Sequence, residues 1–234
     1  MKYIFDVDGT LTPSRAKMDN EFTNWFEHFA THNAVYIVTG SDREKTLEQI
    51  PKSIYSLCVA VYQCSGNDVW QQDNNVKNGV LNLPDKLQYD LLGILQDSGY
   101  ALRTGNHIDN RPGLVNFSIL GRNATLEDRY NYRGWDEHKK ERESICTWLR
   151  SRWANYNFQI AGETGIDITA SGSTKAQILK DFDPKDVIYF FGDKCQFGGN
   201  DHEIALGIHD RENGSRVFEV KDWEDTWSNL KSLV

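Results

Sequence analysis

The chain has 234 residues, of which 39% are hydrophobic and 26% are charged, with 18 Gly and only 5 Pro. This composition predicts a globular protein with a sizeable core, and it excludes the disordered, fibrous and low-complexity classes. The 26 basic and 34 acidic residues give a net charge of −8, which argues against nucleic acid as a partner because polyanion binding needs a basic surface.

The sequence also argues against a membrane partner. No apolar run approaches the roughly 18–20 residues that cross a bilayer. Met1 and Lys2 lead directly into Tyr3-Ile4-Phe5, without the apolar segment of a signal peptide. The four cysteines contain no Cys-x-x-Cys pair, which favours reduced thiols. We therefore expect a cytoplasmic location.

Short apolar runs alternate with helical patterns in the first part of the chain, as in a parallel sheet covered by helices. Apolar residues at helical spacing predict a helix from Met18 to Phe29, and Ser41 with Glu44 resembles a capping box for a second helix that stops before Pro51. The predicted strands are Tyr3–Val7, Ala34–Val38 and Leu57–Tyr62.

The pattern changes after residue 66. A hairpin with a turn at Asp73-Asn74-Asn75 is followed by a helix that carries Leu87, Leu91, Leu92 and Leu95. Val115, Phe117 and Ile119 alternate with polar residues, which is typical of an antiparallel sheet with one wet face. The other elements predicted here are a long helix, Trp135–Trp153, and strands Phe158–Ala161 and Ile166–Thr169.

The parallel pattern then resumes with a helix around Ile178 and Leu179, strands Val187–Phe191 and Arg216–Val220, and a final helix from Trp223 to Leu233. The sequence therefore predicts an α/β fold in which an α+β domain interrupts a parallel-sheet core. We assign the core to residues 1–81 and 171–234 and the inserted cap domain to residues 82–170.

Asp6 and Asp8 lie at the carboxyl end of the first predicted strand, in the segment Asp6-Val7-Asp8-Gly9-Thr10-Leu11-Thr12. Open α/β sheets place their ligands at the carboxyl ends of strands, and strand alternation sends both aspartates to the same side. Two carboxylates held that close repel unless a cation or a proton intervenes, and Mg²⁺ favours such oxygen ligands. The alternative is a solvated turn, since Asp-x-Asp is a common sequence.

Three further segments fall at the edge of the predicted parallel sheet. Thr39-Gly40-Ser41 ends the second strand at a helix N-terminus, where backbone N–H groups can hold a phosphate. Lys175 begins the helix after the cap, where it would neutralise a phosphoryl group and a carboxylate. Asp193 and Asp201 follow Val187–Phe191 and add carboxylates at the same edge. Each segment alone also fits a helix cap, a surface charge or a Gly-rich turn.

In this order and at these strand ends, the motifs resemble those of the haloacid dehalogenase superfamily. The resemblance implies a Rossmann-like parallel-sheet core with an inserted cap. It also implies that Asp6 is a nucleophile that becomes phosphorylated, that Asp8 is the general acid/base, and that Lys175 assists them. By the same resemblance, the metal ligands are Asp6, Asp8, Asp193 and Asp201. Splitting phosphoryl transfer into two steps through a carboxylate lowers each barrier.

Nearly the whole chain resembles the eukaryotic-type phosphomannomutase family. The stretches that carry the resemblance are FDVDGTLTPSR, GSDREK, RPGLVNFSILGR, IDI and FFGDKCQFGGNDHEI. This resemblance implies an enzyme that interconverts mannose 6-phosphate and mannose 1-phosphate through an aspartyl-phosphate. It implies Mg²⁺ as the cofactor, a hexose 1,6-bisphosphate as the activator, and glucose phosphates as further candidate substrates.

The same resemblance implies a set of substrate-binding residues. An acidic chain can bind an anion only where it concentrates cations, and arginine forks suit phosphate oxygens. The expected substrate-binding residues are Arg15, Thr39, Gly40, Ser41, Arg111, Arg122, Arg129, Gly165 and Asp167.

Two positions of the expected substrate-binding set depart from the family pattern, and Cys195, Gln196 and Phe197 also differ from the usual loop residues after Asp193. Gly165 stands where a hydroxyl residue is usual, and Thr39 stands where these mutases usually have Gly. Both departures support the alternative function, a sugar-phosphate phosphatase in which water attacks the aspartyl-phosphate. Arg15 and the cap arginines favour the mutase. Family members are often dimers through the cap, so a homodimer is part of the expectation.

Overall fold

The structure, a computed structural model, describes residues 1–233. The strands, in chain order, are β1 (Lys2–Phe5), β2 (Ala34–Val38), β3 (Ala60–Gln63), β4 (Asp68–Gln71), β5 (Asn74–Asn78), β6 (Ile108–Arg111), β7 (Leu114–Phe117), β8 (Tyr156–Ala161), β9 (Gly165–Ala170), β10 (Ile188–Gly192) and β11 (Arg216–Glu219). The helices are α1 (Asn20–His32), α2 (Arg43–Gln49), α3 (Lys52–Leu57), α4 (Asp85–Asp97), α5 (Leu126–Lys139), α6 (Glu141–Arg152), α7 (His202–His209) and α8 (Trp223–Lys231).

The chain divides into two compact units. The first contains Met1–Asn78 together with the chain from Ser173 onward, and the second is Gly79–Gly172. We call the first unit the core and the second the cap. Among the described residues, no helix is long and apolar enough to cross a membrane.

The core contains a seven-stranded sheet in the order β11-β10-β1-β2-β3-β4-β5. The first five strands in this order are parallel, and β4 and β5 extend the sheet as an antiparallel hairpin. Alternate residues of β1 are buried on opposite faces: Phe5 packs with α1, α3 and α8, whereas Ile4 packs with α7 and a 3₁₀ helix, Lys175–Asp181. Burial on both faces explains why the predicted strands are unbroken apolar runs.

The predicted α/β class is confirmed, but several element boundaries in the core are wrong. Asp42, not Ser41, caps α2, because its side chain accepts a hydrogen bond from the Lys45 N–H. The predicted strand Leu57–Tyr62 begins too early, since α3 ends at Leu57 and β3 begins at Ala60.

Other differences lie in the turns and in the C-terminal part of the core. The hairpin turn falls at Gln72 and Asp73, where Gln72 adopts a left-handed φ of 56°. The helix predicted around Ile178 is the 3₁₀ helix. The sequence analysis also did not anticipate α7, which starts directly after Asp201.

The cap has a four-stranded antiparallel sheet in the order β6-β7-β9-β8. Helices α4, α5 and α6 cover one face, where Val115, Phe117 and Ile166 are buried with apolar residues of all three helices. The opposite face carries polar side chains, including Asp109, Asn116 and Asp167 in neighbouring register positions. This is the alternation expected of an antiparallel sheet with one covered face.

Two predictions in the cap need correction, and one strand was not predicted. The long helix Trp135–Trp153 is two helices, because Lys140 adopts a left-handed conformation (φ 55°) between α5 and α6. The strand through Ile119 ends at Phe117, and the sequence analysis missed β6.

Candidate functional site

The segment after β1 folds into a tight loop around the carbonyl of Val7. The backbone N–H groups of Thr10, Leu11 and Thr12 all donate to this oxygen. Gly9 is required here for two reasons: its φ of +81° is left-handed, and a Cβ would lie 2.6 Å from Asp193 Oδ2. The loop thus turns directly after Asp6, and the absence of a side chain at Gly9 lets the Asp193 carboxylate approach the backbone of the loop.

Lys175 joins two carboxylates at the carboxyl edge of the core sheet. Its Nζ lies 2.6 Å from Asp6 Oδ1 and 2.6 Å from Asp201 Oδ1. All three side chains are almost completely buried, and one carboxylate oxygen from each of Asp6, Asp193 and Asp201 lies within 4.8 Å of the others. These residues come from both ends of the sequence, and the fold of the core brings them together.

Burial dominates the electrostatics of Asp6 and Asp193. It raises the pKa of Asp6 to about 7, although the Lys175 ammonium acts in the opposite direction and Asp201 adds to the rise. Burial also raises the pKa of Asp193 above its usual value. For Lys175, burial lowers the pKa, but the two carboxylates outweigh it and hold the pKa above the ordinary value. The lysine is therefore charged, and the carboxylates need further positive charge to ionise together.

The donor set fits Mg²⁺. Hard divalent cations take carboxylate oxygens as ligands, and three such oxygens converge here. In addition, Asp193 Oδ1 is buried without a hydrogen-bond partner among the described residues, which is costly unless another group satisfies it. Asp6, Asp193 and Asp201 are therefore the residues that would hold the ion.

Asp8 lies outside this carboxylate group. Its Oδ1 accepts hydrogen bonds from the backbone N–H of Arg15 at 2.7 Å and from Gln49 Nε2 at 2.9 Å. Gln49, which is 2% exposed, also donates to Thr12 Oγ1. Two neutral donors thus fix the orientation of the Asp8 carboxylate, and Arg15 contributes its backbone while its side chain is exposed.

Replacing the donor of Gln49 tests whether this orientation matters. Gln49→Met keeps the side-chain volume but removes the hydrogen bond to Asp8, and bonds to charged groups contribute about 1.5–3 kcal/mol. For the phosphoryl transfer expected from the sequence, kcat should fall by roughly 10- to 150-fold, with little change in KM for the phosphorylated substrate. Steady-state kinetics measure this, and Gln96→Met on the exposed side of α4 is the control. An unchanged kcat in a folded Gln49→Met variant would remove Gln49 from the site.

The residues after β2 form a second segment at the same sheet edge. Thr39 is buried, Gly40 is exposed, and the Thr39 hydroxyl accepts a hydrogen bond from the Ser41 N–H at 3.1 Å. The carbonyl groups of Thr39 and Ser41 accept from the N–H groups of Ser65 and Cys64. The backbone of this segment is therefore tied to the chain that follows β3.

In the cap, one carboxylate joins two of the predicted arginines. Asp109 Oδ2 lies 3.0 Å from Arg111 Nε and 3.4 Å from Arg122 Nε. Arg129, on α5, donates from Nη2 to the carbonyl of Arg122 at 3.3 Å. The three arginines predicted from the sequence thus form one connected group within the cap.

The remaining predicted residues of the cap lie on the polar face of its sheet. Asp167 Oδ1 accepts a hydrogen bond from Asn116 Nδ2 at 2.6 Å, across the register pair that joins β7 to β9. Gly165 is two residues away from Asp167 on the same strand. The face therefore carries Asp109 with its two arginines on the β6 side and the Asp167 carboxylate on β9, with Asn116 between them.

Comparison with known proteins shows the family. A model of the eukaryotic phosphomannomutase family matches residues 22–234. The chain belongs to that family. Two relatives named phosphomannomutase are each 32% identical to it. The relative from Encephalitozoon cuniculi (strain GB-M1) aligns over 219 residues, which cover 86% of this chain and 83% of the relative. The relative from Oryza sativa subsp. indica aligns over 243 residues, which cover 98% of this chain and 94% of the relative.

Solved structures support the fold of this family member. A haloacid dehalogenase-like hydrolase from Bacteroides thetaiotaomicron matches with a TM-score of 0.61 and covers 99% of this chain and 98% of that chain. The sequence identity is 10%, so the likeness shows the fold alone. The family model begins after Asp6 and Asp8, but the alignment with the rice phosphomannomutase covers 98% of the chain.

Three residues of this phosphomannomutase-family chain were missed by the sequence analysis, namely Gln49, Asp109 and Asn116. Gln49 ends a short helix, and nothing in its local pattern indicates a contact with Asp8, which lies 41 positions earlier. Asp109 and Asn116 lie in the stretch that contains Arg111 and Arg122, and their polarity on neighbouring strands was the available signal.

Proposed function

We propose that the chain interconverts mannose 6-phosphate and mannose 1-phosphate, with glucose phosphates as further substrates. The observation that carries this proposal is the buried group in which Lys175 joins Asp6 and Asp201 beside Asp193. Such a group can accept a phosphoryl group on a carboxylate. Membership of the phosphomannomutase family and the names of its relatives supply the substrate class.

In the proposed first half-reaction, phosphorylated Asp6 transfers its phosphoryl group to the O6 hydroxyl of mannose 1-phosphate. Asp8 accepts the proton of that hydroxyl, the bond between Asp6 and phosphorus breaks, and mannose 1,6-bisphosphate forms. Gln49 and the Arg15 N–H hold Asp8 in one orientation for this step. Lys175 compensates the negative charge that returns to Asp6.

In the second half-reaction, the bisphosphate presents its other phosphate to Asp6. The Asp6 carboxylate attacks this phosphorus, Asp8 gives its proton to the leaving O1 oxygen, and mannose 6-phosphate leaves while Asp6 is phosphorylated again. A hexose 1,6-bisphosphate primes the first cycle in the same way. A bound Mg²⁺ would neutralise charge on the transferring phosphoryl group.

The cap supplies the binding of the second phosphate in this proposal. Arg111, Arg122 and Arg129 form a connected group, and guanidinium forks match phosphate oxygens. Asp167 would accept hydrogen bonds from sugar hydroxyls. Guanidinium groups recognise a phosphate in the same way whether it is carried on O1 or on O6 of the hexose.

Removing a cap arginine tests this assignment. We expect Arg122→Ala or Arg129→Ala to lower kcat/KM by roughly 10- to 150-fold, because each loses a charged hydrogen bond worth about 1.5–3 kcal/mol. The thermal unfolding midpoint should change little, since neither side chain is buried. Arg152→Ala on α6, a 58% exposed side chain, is the control. Wild-type kinetics in both cap variants would contradict the assignment.

The decisive experiment is ³¹P NMR of the protein with Mg²⁺, mannose 1-phosphate and a trace of glucose 1,6-bisphosphate. The mutase predicts mannose 6-phosphate without inorganic phosphate. Inorganic phosphate as the main product would mean that water attacks the aspartyl-phosphate and would support a phosphatase instead.

A cytoplasmic location and a homodimer through the cap are part of the same proposal. The location is supported by the sequence, whose four cysteines include no Cys-x-x-Cys pair, a usage typical of a reducing compartment. Sedimentation analysis of the protein and of a cap variant would test the dimer.

A further inference from the structure

Asn116 occupies the centre of the polar face of the cap sheet. It lies on β7, with Asp109 of β6 opposite it on one side and Asp167 of β9 on the other. The side chain is 6% exposed, and its Nδ2 donates to Asp167 Oδ1 at 2.6 Å. A hydrogen bond this short between an amide and a carboxylate fixes the orientation of both groups.

Gly165 makes this arrangement possible. A Cβ at position 165 would lie 2.5 Å from Asn116 Nδ2 and 3.1 Å from its Oδ1. The requirement for glycine comes from this close approach and not from the backbone, since the φ of Gly165 is outside the left-handed region. The amide of Asn116 thus fills the space that a side chain at position 165 would take.

The surroundings of Asn116 match the two kinds of group in a sugar phosphate. On the β6 side, Arg111 and Arg122 converge on Asp109 and provide positive charge for a phosphate. On the β9 side, Asp167 provides an acceptor for hydroxyl groups. A carboxylate in place of the Asn116 amide would repel Asp167. An apolar side chain would leave the Asp167 carboxylate without a donor to fix its orientation.

We propose that Asn116 is a positioning residue that determines sugar specificity by holding the Asp167 carboxylate toward the sugar hydroxyls, and that Gly165 is needed to admit its amide. This inference rests on the proposed function. An oriented carboxylate distinguishes an axial from an equatorial hydroxyl at one carbon, which is the difference between a mannose and a glucose phosphate. Asn116 therefore acts on the choice of hexose, while the phosphoryl chemistry takes place in the core.

The test uses four variants of the full chain, assayed with mannose 1-phosphate and glucose 1-phosphate. Asn116→Ala removes the amide. Gly165→Ala keeps asparagine at position 116, but the added Cβ displaces the Asn116 amide from Asp167. The third variant combines both changes, and Asn110→Ala, an exposed asparagine on β6, is the matched control.

We expect each single variant to raise the KM for mannose 1-phosphate roughly tenfold, with kcat within about threefold. The preference for mannose 1-phosphate over glucose 1-phosphate should shrink. The double variant should be no worse than Asn116→Ala alone, because both changes remove the same hydrogen bond. A purely structural role would lower the unfolding midpoint and leave the hexose preference unchanged.

Three outcomes overturn the proposal. The first is a folded Asn116→Ala variant with an unchanged KM and hexose preference. The second is full additivity of the two changes in KM, and the third is a lost preference in Asn110→Ala as well.

Failure of the proposed function would give a different result. If the wild type does not convert mannose 1-phosphate, calorimetric binding of mannose 1-phosphate and glucose 1-phosphate to the same variants replaces the kinetic readout. Tighter binding of one hexose phosphate that Asn116→Ala abolishes would then support the positioning role, whereas equal binding by all variants, or none by the wild type, would overturn it.

Discussion

Asp6→Asn is expected to abolish formation of the phosphorylated protein and to reduce turnover on the order of 10⁶-fold, the scale seen when a covalent nucleophile is removed. An amide is not a competent phosphoryl acceptor. The substitution also removes one of the two carboxylates that lie 2.6 Å from Lys175 Nζ, so the lysine keeps only Asp201. Mass spectrometry of the protein after incubation with a hexose 1,6-bisphosphate measures the acylphosphate directly.

The control for this prediction is Asp97→Asn, an exposed aspartate at the end of α4, which should be phosphorylated like the wild type. Near-wild-type thermal unfolding of Asp6→Asn would show that the fold survives. A phosphorylated Asp6→Asn protein with measurable mutase activity would assign the nucleophile to another residue.

Arg142→Ala is expected to destabilise the cap by about 3–5 kcal/mol, the cost of breaking a buried ion pair by removing one partner. Arg142 Nε lies 2.8 Å from Asp136 Oδ2, and both side chains are 8% exposed. The guanidinium also donates to the carbonyls of Gly162 and Gly165. Removing it leaves the Asp136 carboxylate buried without its cation and frees two carbonyl groups, that of Gly162 in the turn after β8 and that of Gly165 at the start of β9.

Calorimetry measures this loss, and Arg133→Ala is the matched control. Arg133 is also in an ion pair, in its case with Glu137 and Glu163, but its side chain is 43% exposed. Exposed ion pairs contribute only about 0–1 kcal/mol to stability. Equal shifts of the unfolding transition in the two variants would show that burial of Arg142 does not set the strength of its pair.

Sequence patterns predicted the elements whose burial is regular. β1, β2 and β10 are apolar runs covered on both faces, and their order along the chain indicated a parallel sheet. The patterns failed where a short element depends on its tertiary surroundings. α3 has only six residues, and Ile54 and Tyr55 are its buried positions, so no helical period could develop. Neither Gly nor Pro marks the break between α5 and α6, which falls at Lys140.

The same division applies to the candidate site. Asp6, Asp193 and Asp201 could be grouped from the sequence, because the carboxyl ends of parallel strands share one sheet edge, and Lys175 could be added because it begins the first helical element after the cap. Gln49 and Asn116 could not, since each acts through a hydrogen bond to a residue far along the chain. Sequence spacing therefore located the charged groups of the core cluster, but not Asp109 of the cap or the neutral side chains of Gln49 and Asn116.

The order of strands in the core sheet has a consequence for synthesis of the chain. β1 is made first, yet its neighbour on one side, β10, pairs Lys2 with Ile188. During translation, the β1 edge therefore remains open while the whole cap sequence leaves the ribosome, and Asp6 has neither its lysine nor Asp201 beside it. The cap can fold on the nascent chain, because all its strand partners lie within Gly79–Gly172. The proposed phosphoryl acceptor therefore gains its neighbours only after the unit proposed to recognise the sugar has been synthesised.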